Sequence, residues 1–165
     1  MRSAIKNKLS NTLKGFTLIE LLVVVSIIGI LATLVAANLN SARSRARDAQ
    51  RKSDLKNIQT ALRLYYNDYG VYPRSTSGDN YIAGCGNITS PSLCSWGSAW
   101  VMQSKTYMNT LPEDPLDSQS YQYINNDTDN DTYTLDACLE NGSDPQGIPV
   151  SGITCPGTLM FQVKQ

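Results

Sequence analysis

The chain has 165 residues, room for about one domain, with 17% charged residues, no formal net charge, no histidine and four cysteines. These values exclude the basic surface of a nucleic-acid-binding domain, every histidine-based mechanism and any zinc site built on histidine. A hydrophobic fraction of 41% excludes a disordered chain, and the single apolar run excludes a multi-span membrane protein.

Charge is unevenly placed. Residues 1–15 carry Arg2, Lys6, Lys8 and Lys14 and no acid. From Arg43 to Asp68, seven basic residues (Arg43, Arg45, Arg47, Arg51, Lys52, Lys56 and Arg63) face Asp48, Asp54 and Asp68. From Tyr69 onward, ten acids face only Arg74, Lys105 and Lys164. Three regions with different neighbours are expected.

The first predicted element is the run Phe16 to Ala37, FTLIELLVVVSIIGILATLVAA, 22 residues long. As a helix it reaches about 33 Å, enough to cross a bilayer core. Its only charge is Glu20. No convincing small-residue cleavage site follows the run, so it does not read as a discarded signal peptide.

The junction before the run carries the more specific signal. Lys14-Gly15-Phe16-Thr17-Leu18-Ile19-Glu20 closely resembles the processing site of type IV prepilins, a family shared with the pseudopilins of type II secretion. The resemblance implies cleavage between Gly15 and Phe16, N-methylation of Phe16 and retention of the apolar helix. A prepilin peptidase that also methylates is the implied processing partner. Glu20 would be the fifth mature residue. An acid in an apolar span costs about 2.5–3.5 kcal/mol at the helix centre and less near the interface. In a packed array Glu20 can face the ammonium of a neighbour's Phe16, which offsets that cost and penalises wrong registers. Alone, it would stay protonated or reach the lipid headgroups.

Helical periodicity continues through Ala42, Ala46 and Ala49, then Leu55, Ile58, Leu62, Tyr65 and Tyr69. This spacing leaves Arg51, Lys52, Lys56 and Arg63 mostly on other faces. No proline falls between Phe16 and Tyr72, so one helix of about 80 Å is expected, stopped by Gly70 and Pro73. Many relatives carry a proline where this chain has Ala37. The basic stretch Arg43 to Lys52 suits anionic lipid headgroups before assembly, acids of neighbouring subunits afterwards, or a solvated face.

Beyond the helix, Leu64 to Pro73 resembles the helix exit of pilins and pseudopilins. Leu111-Pro112-Glu113-Asp114-Pro115 resembles a loop of the type II secretion major pseudopilin, with Leu116 where that family usually has an aromatic. Strands are expected at Ser120–Ile124, Thr132–Ala137 and Leu159–Val163, the first two joined by a polar loop from Asn125 to Asp131. They would form a short antiparallel sheet packed on the distal helix. The expected fold is α+β: a long N-terminal α-helix, membrane-spanning in its first half, and a small C-terminal head. The divisions are 1–15 leader, 16–37 membrane and filament-core helix, 38–70 amphipathic continuation, and 71–165 head outside the cytoplasm.

All four cysteines lie in the acidic third, which points to an oxidising compartment. Three connectivities are open, and the shortest loops pair Cys85 with Cys94 and Cys138 with Cys155. A four-cysteine zinc site is the rival, but no C-x2-C knuckle is present. Asp127-Thr128-Asp129-Asn130-Asp131 opens like a calcium loop and then fails, with Thr132 in place of glycine and Cys138 in place of a bidentate glutamate. Some secretion pseudopilins hold calcium in a comparable head loop; a solvated hairpin tip is the simpler reading, and no cofactor is expected. The sequons at Asn87, Asn126, Asn130 and Asn141 are accounted for by chance in an Asn- and Thr-rich chain. Trp96, Trp100 and Tyr107 suit a small core better than exposed carbohydrate stacking. No nucleophile–base pair or phosphate loop is visible, so the chain reads as the substrate of an enzyme and not as one.

The reading is a pilin-like subunit in the bacterial inner membrane, single-pass with its head outside, polymerising with identical or related subunits into a surface filament. A pseudopilin in a short periplasmic filament is the alternative, and a single-span anchored binding module is the alternative from another class. No nucleic-acid partner is expected for the isolated subunit.

Overall fold

The computed structural model describes residues 15–75, 81–125, 131–153 and 155–165, Ala37 by its backbone alone. One helix, α1 (Leu18–Tyr69), is followed by nine strands: β1 (Arg74–Ser75), β2 (Ile82–Asn87), β3 (Ser90–Cys94), β4 (Trp100–Met102), β5 (Lys105–Met108), β6 (Gln122–Ile124), β7 (Thr134–Leu139), β8 (Ile148–Pro149) and β9 (Leu159–Lys164). The fold is α+β. The chain divides into two compact units, the first ending at Asn40 and the second running from Ser41 to Gln165.

In the first unit, every described side chain from Phe16 to Asn40 is exposed, including Leu18 at 79% and Ile30 at 64%. Its polar side chains turn back onto their own helix. Ser26 Oγ donates to the Val23 carbonyl at 2.7 Å, Thr33 Oγ1 to Ile30 at 2.8 Å, and Asn38 Nδ2 to Leu34 at 3.1 Å. Donors satisfied this way do not oppose burial of the helix in an apolar medium. By length and composition this stretch is apolar enough to cross a membrane.

In the second unit, the distal part of α1 supplies one wall of the core. Leu55, Ile58 and Leu62 are fully buried, Tyr65 nearly so, and Tyr69 packs at the edge. Spacings of three and four residues place these side chains on one face, as the sequence pattern requires. Gly70 ends the helix: its N–H donates to the Tyr66 carbonyl at 2.7 Å, and its φ of +72° is a conformation that glycine adopts without a Cβ penalty.

Two sheets complete the core where a single sheet is expected from the sequence. The period-two segments form the second sheet, ordered β6-β7-β9-β8 and antiparallel throughout. Tyr123 pairs with Leu135, and Leu135 with Val163, and all three side chains enter the core. The first sheet, ordered β1-β2-β4-β5 with β3 also on β2, has no counterpart in the sequence reading. It includes a parallel β2–β4 pairing at Gly86 and Met102. Trp100 anchors it, with an indole N–H donating to the Gly84 carbonyl at 2.8 Å and a ring 5.7 Å from that of Tyr65. Trp100 and Tyr107 are core residues, and Trp96 packs against the core while half-exposed. Disulfides join Cys85 to Cys94 and Cys138 to Cys155. The first lies within the β2–β3 hairpin, and the second ties β7 to the segment before β9. By the loop-entropy argument each contributes roughly 2–3 kcal/mol.

Candidate assembly site

The N-terminal junction is built from few atoms. Gly15, Phe16 and Thr17 precede the helix in an irregular conformation, and Phe16 is 88% exposed. Thr17 and Glu20 form a reciprocal cap. The Glu20 N–H donates to Thr17 Oγ1 at 3.2 Å, and Glu20 Oε2 accepts from the Thr17 N–H at 2.8 Å and from its hydroxyl at 2.9 Å. This T-x-x-E arrangement satisfies two of the donors that a helix start leaves open. The role of Thr17 is absent from the sequence reading, although the four-residue motif before an apolar run signals it. Both bonds to the Glu20 carboxylate use Oε2; Oε1 has no partner among the described residues.

The second charged assembly is internal to the Ser41–Gln165 unit. Arg51 is fully buried, and its guanidinium meets three carboxylates from separate segments. Nε and one terminal nitrogen clamp both oxygens of Asp114 at 2.8 Å, and the other terminal nitrogen reaches Asp48 at 2.7 Å and Glu140 at 2.8 Å. Asp48 in turn accepts the backbone N–H groups of Glu140 (3.0 Å) and Asn141 (2.8 Å). Arg47 chelates Glu140 from the previous turn, and Lys52 bonds Asp144 at 2.6 Å. Hydrogen bonding from Arg47, reinforced by Arg51, holds the Glu140 carboxyl down at about 2 against the burial that would raise it.

This network corrects the expectation that Arg51 and Lys52 lie off the packed face and that Arg47, Arg51 and Lys52 belong to a lipid-binding or intersubunit stretch. Their partners are acids of the same chain. Asp48 and Arg51 continue the stripe of Leu55, Ile58 and Leu62 at helical spacing, so buried charge was signalled by position. The acceptors at Asp114 and Glu140 carry no such local mark. The Leu111–Pro115 loop is thereby pinned to α1: Leu111 is fully buried and Asp114 is the carboxylate that Arg51 clamps.

Of the remaining predicted features, Asp127 to Asn130 lie outside the described residues. Among the described residues no group of three acidic or cysteine side chains is placed to hold a metal ion.

Comparison with known families separates the two ends of the chain. Residues 12–36, a range that includes Gly15, Phe16 and Glu20, match the prokaryotic N-terminal methylation motif. Residues 38–146 match the family of type II secretion system protein G, more than half of the chain and well into the head. The chain belongs to that family. Similar curated proteins include the type II secretion system core protein G of Pseudomonas aeruginosa, 37% identical over 133 residues, covering 79% of this chain and 88% of the relative. The core protein G of Vibrio cholerae is 30% identical over 138 residues, covering 82% and 88%. The type IV major pilin PilA of Myxococcus xanthus is 39% identical over only 59 residues, covering 36% and 27%. No solved structure matches the chain. The protein G family is pilin-like, and the chain is a pilin-like subunit with the family's methylation motif.

Proposed function

We propose that the chain is a pseudopilin: a non-enzymatic subunit stored in the inner membrane with its head in the periplasm, which polymerises into the short filament of a type II secretion system. The carrying observation is the protein G match over residues 38–146, because the methylation motif alone is common to pilins and pseudopilins. It favours the periplasmic filament over the surface pilus, which retains as its support the short stretch similar to PilA.

On this reading residues 1–15 are the leader, removed by a prepilin peptidase, and Phe16 becomes the methylated first residue. Residues 16–37 leave lipid for the filament core, 38–70 continue the helix, and 71–165 form the head. The uncovered apolar side chains of the first unit, satisfied in their own hydrogen bonds, exchange lipid neighbours for helix neighbours at little polar cost. Glu20 sets register by offering the free Oε1 to the ammonium of a neighbour's Phe16, while Oε2 stays in the Thr17 cap.

Mass spectrometry of the N-terminal peptide, run separately on membranes and on sheared cell-surface material, tests the reading. Methylated Phe16 confined to membranes, together with loss of protein export on deletion of the gene, is the expected result. Abundant methylated Phe16 in the sheared fraction would move the chain to the surface pilins, and an uncut terminus in both would leave an anchored module.

A further inference from the structure

We infer that a cavity of about 320 Å³ in the head receives a lysine or arginine side chain projecting from α1 of a second copy of this chain; the inference rests on the filament reading above. Its described lining includes Tyr81, Trp96, Glu113, Asp114, Asp117 and Gln119 and no basic residue. The Asp114 charge is already taken by Arg51. Glu113 and Asp117 have no ion-pair partner among the described residues. The side-chain carbonyl oxygen of the lining residue Gln119 is buried and accepts no hydrogen bond among the described residues. Such an unmet acceptor is costly until a donor arrives.

The walls are held in place. Trp96 stands edge-on to Tyr121 with centroids 5.9 Å apart, and Tyr81 lies 6.1 Å from it on another side. The Gly97 N–H donates to the Leu111 carbonyl at 2.8 Å, the Leu111 N–H to Ser98 at 2.7 Å, and the Gln119 N–H to Leu116 at 2.9 Å. Two free carboxylates, an unmet amide oxygen and aromatic faces together suit a cation with several N–H donors on an apolar stem. Among the described residues no three acidic or cysteine side chains are placed there to hold a metal ion.

Charge complementarity identifies the source. On α1, Arg47, Arg51 and Lys52 are consumed by acids of the same chain. Arg43, Arg45, Lys56 and Arg63 are exposed and without ion pairs among the described residues. Each copy thus offers a cation-seeking pocket and four unspent cations on its helix. Polymerisation supplies the second copy.

The test uses the full-length chain in its own membranes, with covalent cross-linking of neighbouring subunits as readout. Glu113→Lys/Asp117→Lys is expected to lower the cross-linked ladder at least tenfold while the disulfide-bonded monomer stays at wild-type level. One of Arg43→Glu, Arg45→Glu, Lys56→Glu or Arg63→Glu, added to it, is expected to restore at least a third of the ladder. An undiminished ladder, or a loss that none of the four reversals repairs, overturns the inference. Should the double variant fail to accumulate, Glu113→Gln/Asp117→Asn keeps the side-chain shapes; it is expected to lower several-fold the salt concentration that dissolves the ladder, and an unchanged salt profile overturns the inference. A wild-type chain that gives no ladder overturns the filament reading itself, an outcome distinct from a pocket that does not matter.

Discussion

The two units solve opposite problems with similar material. From Phe16 to Asn40 large apolar side chains lie uncovered while polar ones are satisfied locally, so this stretch is complete in hydrogen bonds and incomplete in packing. From Ser41 onward a core is packed, with aromatic rings around Tyr65 and Trp100, and even a guanidinium is enclosed. Burial of apolar surface is a driving force that needs a partner, and among the described residues only the second unit finds one. The difference teaches where to look for assembly and where to look for stability: substitutions in the first unit change what the chain joins, and those in the buried core of the second change whether the head holds.

The largest expected effect tests the first half of that statement. Glu20→Ala is expected to abolish polymerisation, read as loss of the cross-linked ladder, with no change in the melting of the head. Thr17→Ala separates capping from register, because it removes the hydroxyl of the cap and keeps the carboxylate; a cost of about 1 kcal/mol at the helix start and only a partial loss of ladder are expected. Equal loss in both variants would make Glu20 a capping residue alone.

Next comes Arg51→Ala, which strands Asp48 and Asp114 in the core. Removing one partner of a buried pair costs about 3–5 kcal/mol, so chemical denaturation of the full chain in detergent should show a drop of that size. Leader cleavage should be untouched. A drop under about 1 kcal/mol would show that the network is dispensable, and the contrast between the units would weaken.

Reducing the disulfides should follow at roughly 2–3 kcal/mol each, measured by the same unfolding curve with Cys85→Ser/Cys94→Ser and Cys138→Ser/Cys155→Ser pairs. The smallest effect is that of pH. The folded Glu140 carboxyl sits at about 2, below its usual 4.5. Its share of stability is therefore present above pH 4.5 and lost as pH falls toward 2. Glu140→Gln should flatten that part of the melting-versus-pH curve; an identical acid limb in both proteins would place the loss elsewhere.

Much of the helix was legible because one rule governs it. Leu55, Ile58 and Leu62 recur at helical spacing, and Gly70 ends the pattern, so extent and buried face follow together. The second sheet was legible for the same reason, through Tyr121, Tyr123, Tyr133 and Leu135 at period two. The first sheet was not. Ile82–Asn87 and Ser90–Cys94 are rich in Gly, Ser, Asn and Pro, and Trp100–Met102 is too short to show alternation. What makes them strands is packing of Trp100 and Ile82 on the helix, a tertiary cause with little local trace. At the candidate site, Gly15, Phe16 and Glu20 stood out as a string. Arg51 is not legible as a buried residue, because helical spacing alone does not distinguish a paired charge from a solvated one and its acceptors Asp114 and Glu140 lie 63 and 89 residues away. The choice between pilus and pseudopilus was hidden more deeply, since both need the same N-terminal chemistry.

The Thr17–Glu20 cap carries one consequence for maturation. The bonds run from the amide and hydroxyl of Thr17, one residue inside the proposed cut, so neither peptide cleavage nor methylation at the Phe16 nitrogen touches an atom of the cap. The helix start is already wound in the unprocessed chain. On the proposed reading, proteolysis would change the charge at the tip and leave the bonds of the cap in place.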